Sequence, residues 1–143
     1  WFDGPVALSG SIATGGAILA AQAMGADLAY IGSAFIATDE ARAADDYKQA
    51  VVAGTSDDIV LSNLFTGVHG NYLAPSIRNA GLDPEHLPES DPSKMNFGGG
   101  AQKAWKDIWG CGQGIGAVKA VVPAAELVAR LKREYQAAKQ RVA

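Results

Sequence analysis

Two short apolar runs, each ending in glycine and serine with one helix-length segment between them, constrain this chain more than any other feature. Pro5-Val6-Ala7-Leu8 leads into Ser9-Gly10-Ser11, and Leu28-Ala29-Tyr30-Ile31 leads into Gly32-Ser33. Runs this short, bounded by turn residues, read as strands rather than helices. Between them, Thr14 can cap a helix over residues 15–24, with Ile18, Leu19 and Met24 on its inner side and Gly25 as its stop. Strand, helix and strand within roughly 30 residues make a βαβ unit, whose strands must run parallel. The runs are continuous rather than alternating, so the strands are expected to be covered on both faces.

The same feature points to chemistry. Both loops lie where parallel strands end, the edge at which α/β folds bind ligands. Each offers backbone N–H groups beside glycine, a hydroxyl, and a helix start shortly after, which are the parts of an anion site. Tight βα turns alone would use glycine in the same way, and the residues by themselves leave both readings open. A second glycine-rich stretch, Gly110-Cys111-Gly112-Gln113-Gly114-Ile115-Gly116, fits a dinucleotide-binding pattern only loosely, because the residues before it read as helix rather than strand.

Further along, Thr38 is expected to cap a second helix that runs to about Val52 and stops at Gly54, with Asp39 and Glu40 in its first turn. The rhythm then changes. Residues 58–65 read as a strand, 75–80 as a short helix, 81–100 as a polar loop, and 101–109 as a helix. From Pro123 an amphipathic helix is expected to about Arg141, with Leu127, Leu131, Tyr135 and Ala138 on one face, Val128 beside them, and Glu126 paired to Arg130. The chain thus divides into 1–54 with the βαβ unit, an excursion over 55–117, and a closing helix over 118–143.

Composition excludes several classes. At 143 residues with 48% hydrophobic content, the chain can bury one core. No apolar stretch reaches the roughly 18 residues of a membrane span, and no signal peptide is visible. A net charge of −3 argues against nucleic acid. The lone Cys111 excludes an internal disulfide, fits a reducing cytoplasm, and reads as a buried inert thiol. His69, in Thr66-Gly67-Val68-His69-Gly70, reads as a loop histidine and His86 as a solvated one; neither has zinc-type spacing to Cys111, so no metal is expected. Trp105 and Trp109 are spaced to share a helix face, as core or as an aromatic wall. The start at Trp1-Phe2-Asp3-Gly4-Pro5, running almost at once into a strand, reads as that of a fragment.

The residues also match a known pattern. Leu8-Ser9-Gly10-Ser11-Ile12-Ala13, then Ala23-Met24-Gly25-Ala26-Asp27-Leu28 through Gly32-Ser33-Ala34-Phe35-Ile36-Ala37-Thr38-Asp39-Glu40, resemble the flavin phosphate-binding half of nitronate monooxygenases, with their G-G-I-x loop, L-G-A-D and G-T-x-F-x-x-T-x-E run. Phe65-Thr66-Gly67, Trp109 with Gly112-Gln113-Gly114, and Pro123-Ala124-Ala125-Glu126-Leu127 resemble later landmarks. The resemblance implies an α/β fold: the C-terminal part of a (β/α)8 TIM-type barrel with a small inserted α/β subdomain over 55–117. It implies FMN as cofactor, with Gly10, Ser11, Gly32 and Ser33 at its phosphate and Gln113 and Gly114 near the flavin. It implies an alkyl nitronate and O2 as substrates, and a catalytic histidine base that lies outside this chain. Two positions depart from the pattern: Ser11 stands where the second glycine is usual, and Ser33 where threonine is. Flavin-dependent enoyl-ACP reductases share the phosphate site and are an alternative reading. A third is a non-catalytic half-barrel that self-associates or binds a phosphorylated ligand; a chain standing alone is expected to be a homo-oligomer, because a half-barrel leaves strand edges open.

Overall fold

The computed structural model describes residues 2–90 and 107–143. Strand β1 (Ala7–Ser9) pairs in parallel with β2 (Leu28–Tyr30), in the register Ala7 to Leu28, Leu8 to Ala29 and Ser9 to Tyr30. Helix α1 (Gly15–Ala23) makes the crossover, so the expected βαβ unit is present. Thr14 caps α1, its hydroxyl oxygen accepting from the Ala17 N–H at 3.2 Å. Gly25 ends it at φ +94°, a conformation that glycine takes without steric cost.

Burial of these strands departs from expectation. Leu8 and Ala29 are half-buried, but Leu28 is 60% and Tyr30 67% exposed. Successive strand residues face opposite ways, so one face of the pair is covered in this chain and the other is not. Met24, expected on the inner side of α1, is also exposed.

Helix α2 (Ser33–Ile36) follows β2 directly. The second helix does not begin at Thr38. Thr38 is buried, donates its hydroxyl to the Phe35 carbonyl at 2.8 Å, and pairs in parallel with Val122 as an isolated bridge. The Asp39 N–H donates to Val122 O at 3.0 Å and the Val122 N–H to Ala37 O at 3.3 Å. The hydroxyl that would cap a helix turns back to Phe35 and the backbone on either side of Thr38 pairs with Val122, so α3 (Asp45–Ala53) starts later, with Asp45 and Asp46 in its first turn. It stops at Gly54 as expected. The buried Lys48 of α3 donates to Asp39 O at 3.2 Å, fixing the intervening loop.

A 3-10 turn over Ser56–Asp58 leads into β3 (Ile59–Ser62), which pairs antiparallel with β4 (Gly70–Leu73). The sequence shows β3 within the expected 58–65 but gives no sign of β4, which opens with Gly70 and Asn71, residue types depleted in strands. Helix α4 (Ala74–Asn79) lies where a short helix is expected, with Pro75 in its first turn. Trp109 and Gly110 are not helical: the Leu73 N–H donates to Trp109 O at 2.8 Å and Gly110 bridges Tyr72 antiparallel. Trp105 and most of the 101–109 helix lie outside the described residues, as does the end of the 81–100 loop.

A 3-10 segment over Gln113–Ala117 precedes α5 (Ala124–Val142). Leu127, Leu131 and Ala138 are buried as expected, while Val128 is half-exposed. Arg130 does not pair with Glu126. It donates to the carbonyls of Ala117 at 3.1 Å and Ala13 at 3.2 Å, and lies 3.7 Å from Glu134, because those carbonyls are the partners its long side chain meets on the packed face. The core gathers Ala13, Ala34, Val51, Leu73, Cys111, Ile115 and Leu127, drawing on all three stretches of the chain. No helix among the described residues is long and apolar enough to cross a membrane.

Candidate functional site

The loops after β1 and β2 meet a third segment, Gly112 to Gly114. Gly10 adopts φ +110° and Ser11 φ +53°, so the first loop turns sharply through two left-handed residues. Gly10 needs to be glycine for this reason. Gly32 has no such need: its φ is −111°, and a Cβ built on it would meet nothing within 4 Å. Neither its conformation nor its packing against the described residues calls for glycine there, and what remains is bare backbone facing open space.

Ser33 is held by the third segment. Its Oγ accepts the Gly112 N–H at 2.8 Å. A hydroxyl that accepts from the protein keeps its own proton to donate. Gly114 packs against the first loop, and a Cβ on it would stand 3.2 Å from the carbonyl carbon and oxygen of Ser11. Between them, the Gln113 side-chain oxygen faces the Asn71 side-chain nitrogen at 3.5 Å. The structure thus brings Ser11, Ser33, Gln113 and Gly114 together, with Gly10 and Gly32 beside them in sequence. Gly112 stands in the glycine-rich stretch that the sequence marks, but its role as donor to Ser33 is not visible there, and Asn71 carries no sign of a site residue, since a backbone donor and a strand register leave no residue-type signal.

Part of the anion argument changes. The N-terminus of α1 is already occupied. The Gly15 N–H donates to the Glu134 carboxylate at 2.8 Å, so a negative charge from α5 sits at the positive end of α1. The first loop therefore offers its own turn, not a helix dipole, to a ligand.

The third segment is anchored behind the loops. Tyr47 stacks on Trp109 with ring centroids 5.1 Å apart and planes at 11°, and its hydroxyl donates to the Gly110 carbonyl. Burial, and then the nearby Cys111, push the Tyr47 hydroxyl up to about 12. Burial, and then Asp58, push the Cys111 thiol up to about 11, so it stays protonated and unreactive at neutral pH. His69 is exposed between β3 and β4. His86 is exposed and lies 2.7 Å from Asp83, whose hydrogen bond and charge raise its pKa. No group of three or more His, Cys, Asp or Glu that could hold a metal occurs among the described residues.

Comparison with known proteins gives a consistent picture. The sequence model of the nitronate monooxygenase family matches residues 2–134. A nitronate monooxygenase of Paraburkholderia phytofirmans is 31% identical, over 92% of this chain and 38% of that protein. Among solved structures, a nitroalkane oxidase from Streptomyces ansochromogenes is 29% identical with a TM-score of 0.75, matching 99% of this chain and 42% of its own. FabK from Thermotoga maritima has a TM-score of 0.70 at 19% identity, a likeness of fold alone, over 99% of this chain and 47% of its own. The chain thus spans less than half the length of each.

Proposed function

The chain belongs to the nitronate monooxygenase family, and from that premise we propose that it supplies the phosphate-binding part of an FMN site in an enzyme that oxidises alkyl nitronates with O2. The fold it contributes to is a (β/α)8 barrel, with β1 and β2 as adjacent barrel strands and residues 55–117 inserted between them and the closing helix α5.

One observation carries this reading: the open backbone at Gly32 beside a serine whose oxygen is already used as an acceptor. A phosphate presents only acceptors. Backbone N–H groups of the two loops and the Ser33 proton are donors, so the residues present fit the group. The second departure from the family pattern, serine for threonine at 33, keeps this donor. At Ser11, the left-handed backbone turns the loop as a second glycine would, and a hydroxyl is added at its rim.

Bound FMN would accept the electrons of the nitronate and pass them to oxygen. The chain's residues position rather than react. Gly10, Ser11, Gly32 and Ser33 hold the phosphate, while Gly112 and Gly114 set the spacing of the two loops. An alkyl nitronate has already lost the proton alpha to its nitro group; where the substrate arrives as the neutral nitroalkane, we assign removal of that proton, which yields the nitronate, to a base outside this chain, since His69 and His86 sit in exposed loops of the excursion.

The protein is expected to carry flavin absorbance or gain it with added FMN, and to consume O2 with an alkyl nitronate. Ser33→Ala is expected to weaken FMN binding about tenfold, the effect of one charge-assisted hydrogen bond. Failure to bind FMN would sink the proposal. NADH- or NADPH-dependent reduction of an enoyl thioester, with no turnover of nitronate, would move the chain to the reductase reading.

A further inference from the structure

Gln113 is an exposed side chain carried between two anchored neighbours. Its neighbours in sequence touch the two loops, Gly112 through Ser33 Oγ at 2.8 Å and Gly114 against the Ser11 backbone. Its side chain meets a residue from a different element, Asn71 of β4, whose Nδ2 donates to Gln113 Oε1 at 3.5 Å. Asn71 stands opposite Leu61 in the hairpin, and asparagine is a poor strand residue, so the register gains nothing from it. What Asn71 offers instead is polarity.

A carboxamide has two unlike ends, an oxygen that accepts and an NH2 that donates. With the oxygen of Gln113 engaged by Asn71, its NH2 is the end left for a ligand. The phosphate and ribityl tail of FMN presents acceptors, and a glutamine turned the other way would set oxygen against oxygen. Resting on the flavin reading above, we propose that Asn71 is a positioning residue: it holds Gln113 by its oxygen, so that Gln113 meets FMN as a hydrogen-bond donor. The β3–β4 hairpin then takes part in the site without touching the ligand.

Polarity can be separated from simple support by comparing Asn71→Ala with Asn71→Asp, using FMN fluorescence titration for affinity and a thermal melt without flavin for folding. Aspartate only accepts, so it pulls the Gln113 NH2 towards itself and turns the oxygen to the ligand. Asn71→Asp is expected to melt like the wild type, yet to weaken FMN binding about tenfold, and to do so more than Asn71→Ala. In a Gln113→Leu background the aspartate is expected to have no further effect, as two residues acting through one contact require. If Asn71→Asp does not fold, Asn71→Ala is compared in the wild-type and Gln113→Leu backgrounds; a loss of FMN affinity that vanishes in the leucine background supports the role of Asn71, and one that persists there overturns it. Alanine proving worse than aspartate would mean mere support. An aspartate effect that persists in the leucine background would mean charge repulsion. Either result, or unchanged affinity in a wild type that does bind FMN, overturns the role of Asn71 alone. A wild type that binds no FMN overturns the flavin reading and this role with it.

Discussion

Ser11 adopts φ +53°, where an L side chain crowds its own backbone at a cost of about 1–2 kcal/mol. This is a conformation that glycine takes without steric cost, so here the turn imposes it on a residue that does not favour it. Ser11→Gly is therefore expected to stabilise the fold, by up to about 1 kcal/mol once the extra freedom of glycine in the unfolded chain is subtracted. Urea denaturation reads the change directly. An FMN titration of the same variant shows what the hydroxyl contributes: lower affinity in a more stable protein would mean that Ser11 donates to the phosphate, and unchanged affinity that it only forms the rim.

At the scale of elements, the contact between α1 and α5 places the loops. A Cβ on Gly15 would lie 2.2 Å from both the Leu131 carbonyl oxygen and the Tyr135 nitrogen, so the helices cross with backbone against backbone. Alanine normally favours a helix over glycine by about 1 kcal/mol. Here the clash decides the sign, and Gly15→Ala is expected to destabilise by about 3 kcal/mol or more, read by thermal or urea melts. The other end of α5 is tied by Glu40, which accepts the Ala124 N–H at 2.8 Å. That hydrogen bond, more than the charge of Lys48, lowers the Glu40 pKa below its usual 4.5. A carboxylate with a lowered folded pKa stabilises above the unfolded value and loses its effect as pH falls through the folded one. The stability difference between wild type and Glu40→Ala should thus be full at neutral pH and shrink below about pH 4.5. A gap independent of pH would show that the carboxylate charge plays no part. These elements differ in how far the sequence reveals them. Strands β1, β2 and β3 and helices α1, α4 and α5 carry local signals: apolar runs, the Thr14 cap, Pro75, the period of Leu127 and Leu131. The start of α3 does not, because Thr38 resembles a cap and is drawn off by Val122, a partner far along the chain. Strand β4 is hidden for the same kind of reason, since Gly70 and Asn71 are held by pairing that no local pattern announces. Of the site, the two loops are legible as glycine-serine strand ends, whereas the donor at Gly112 and the Asn71 contact exist only through tertiary packing.

For the whole molecule, the uncovered side of the parallel pair has a consequence. The β1–β2 sheet has two strands, so each has a neighbour on one side only among the described residues. Leu28 and Tyr30, at 60% and 67% exposure, lay apolar surface over that uncovered side. Open backbone edges next to exposed apolar side chains favour association with another chain. In the relatives this chain spans less than half of the polypeptide, so further sequence is at hand there to cover such a face. Studied by itself, the 14.8 kDa chain is expected to elute from gel filtration as a dimer or larger. Leu28→Lys combined with Tyr30→Lys should shift it to monomer, because two like charges on the exposed face oppose its burial and replace no buried contact. A wild-type chain that stays monomeric at high concentration would show that the exposed face is tolerated in water. The flavin sites would then have to be sought on single chains, not on assemblies that complete one another.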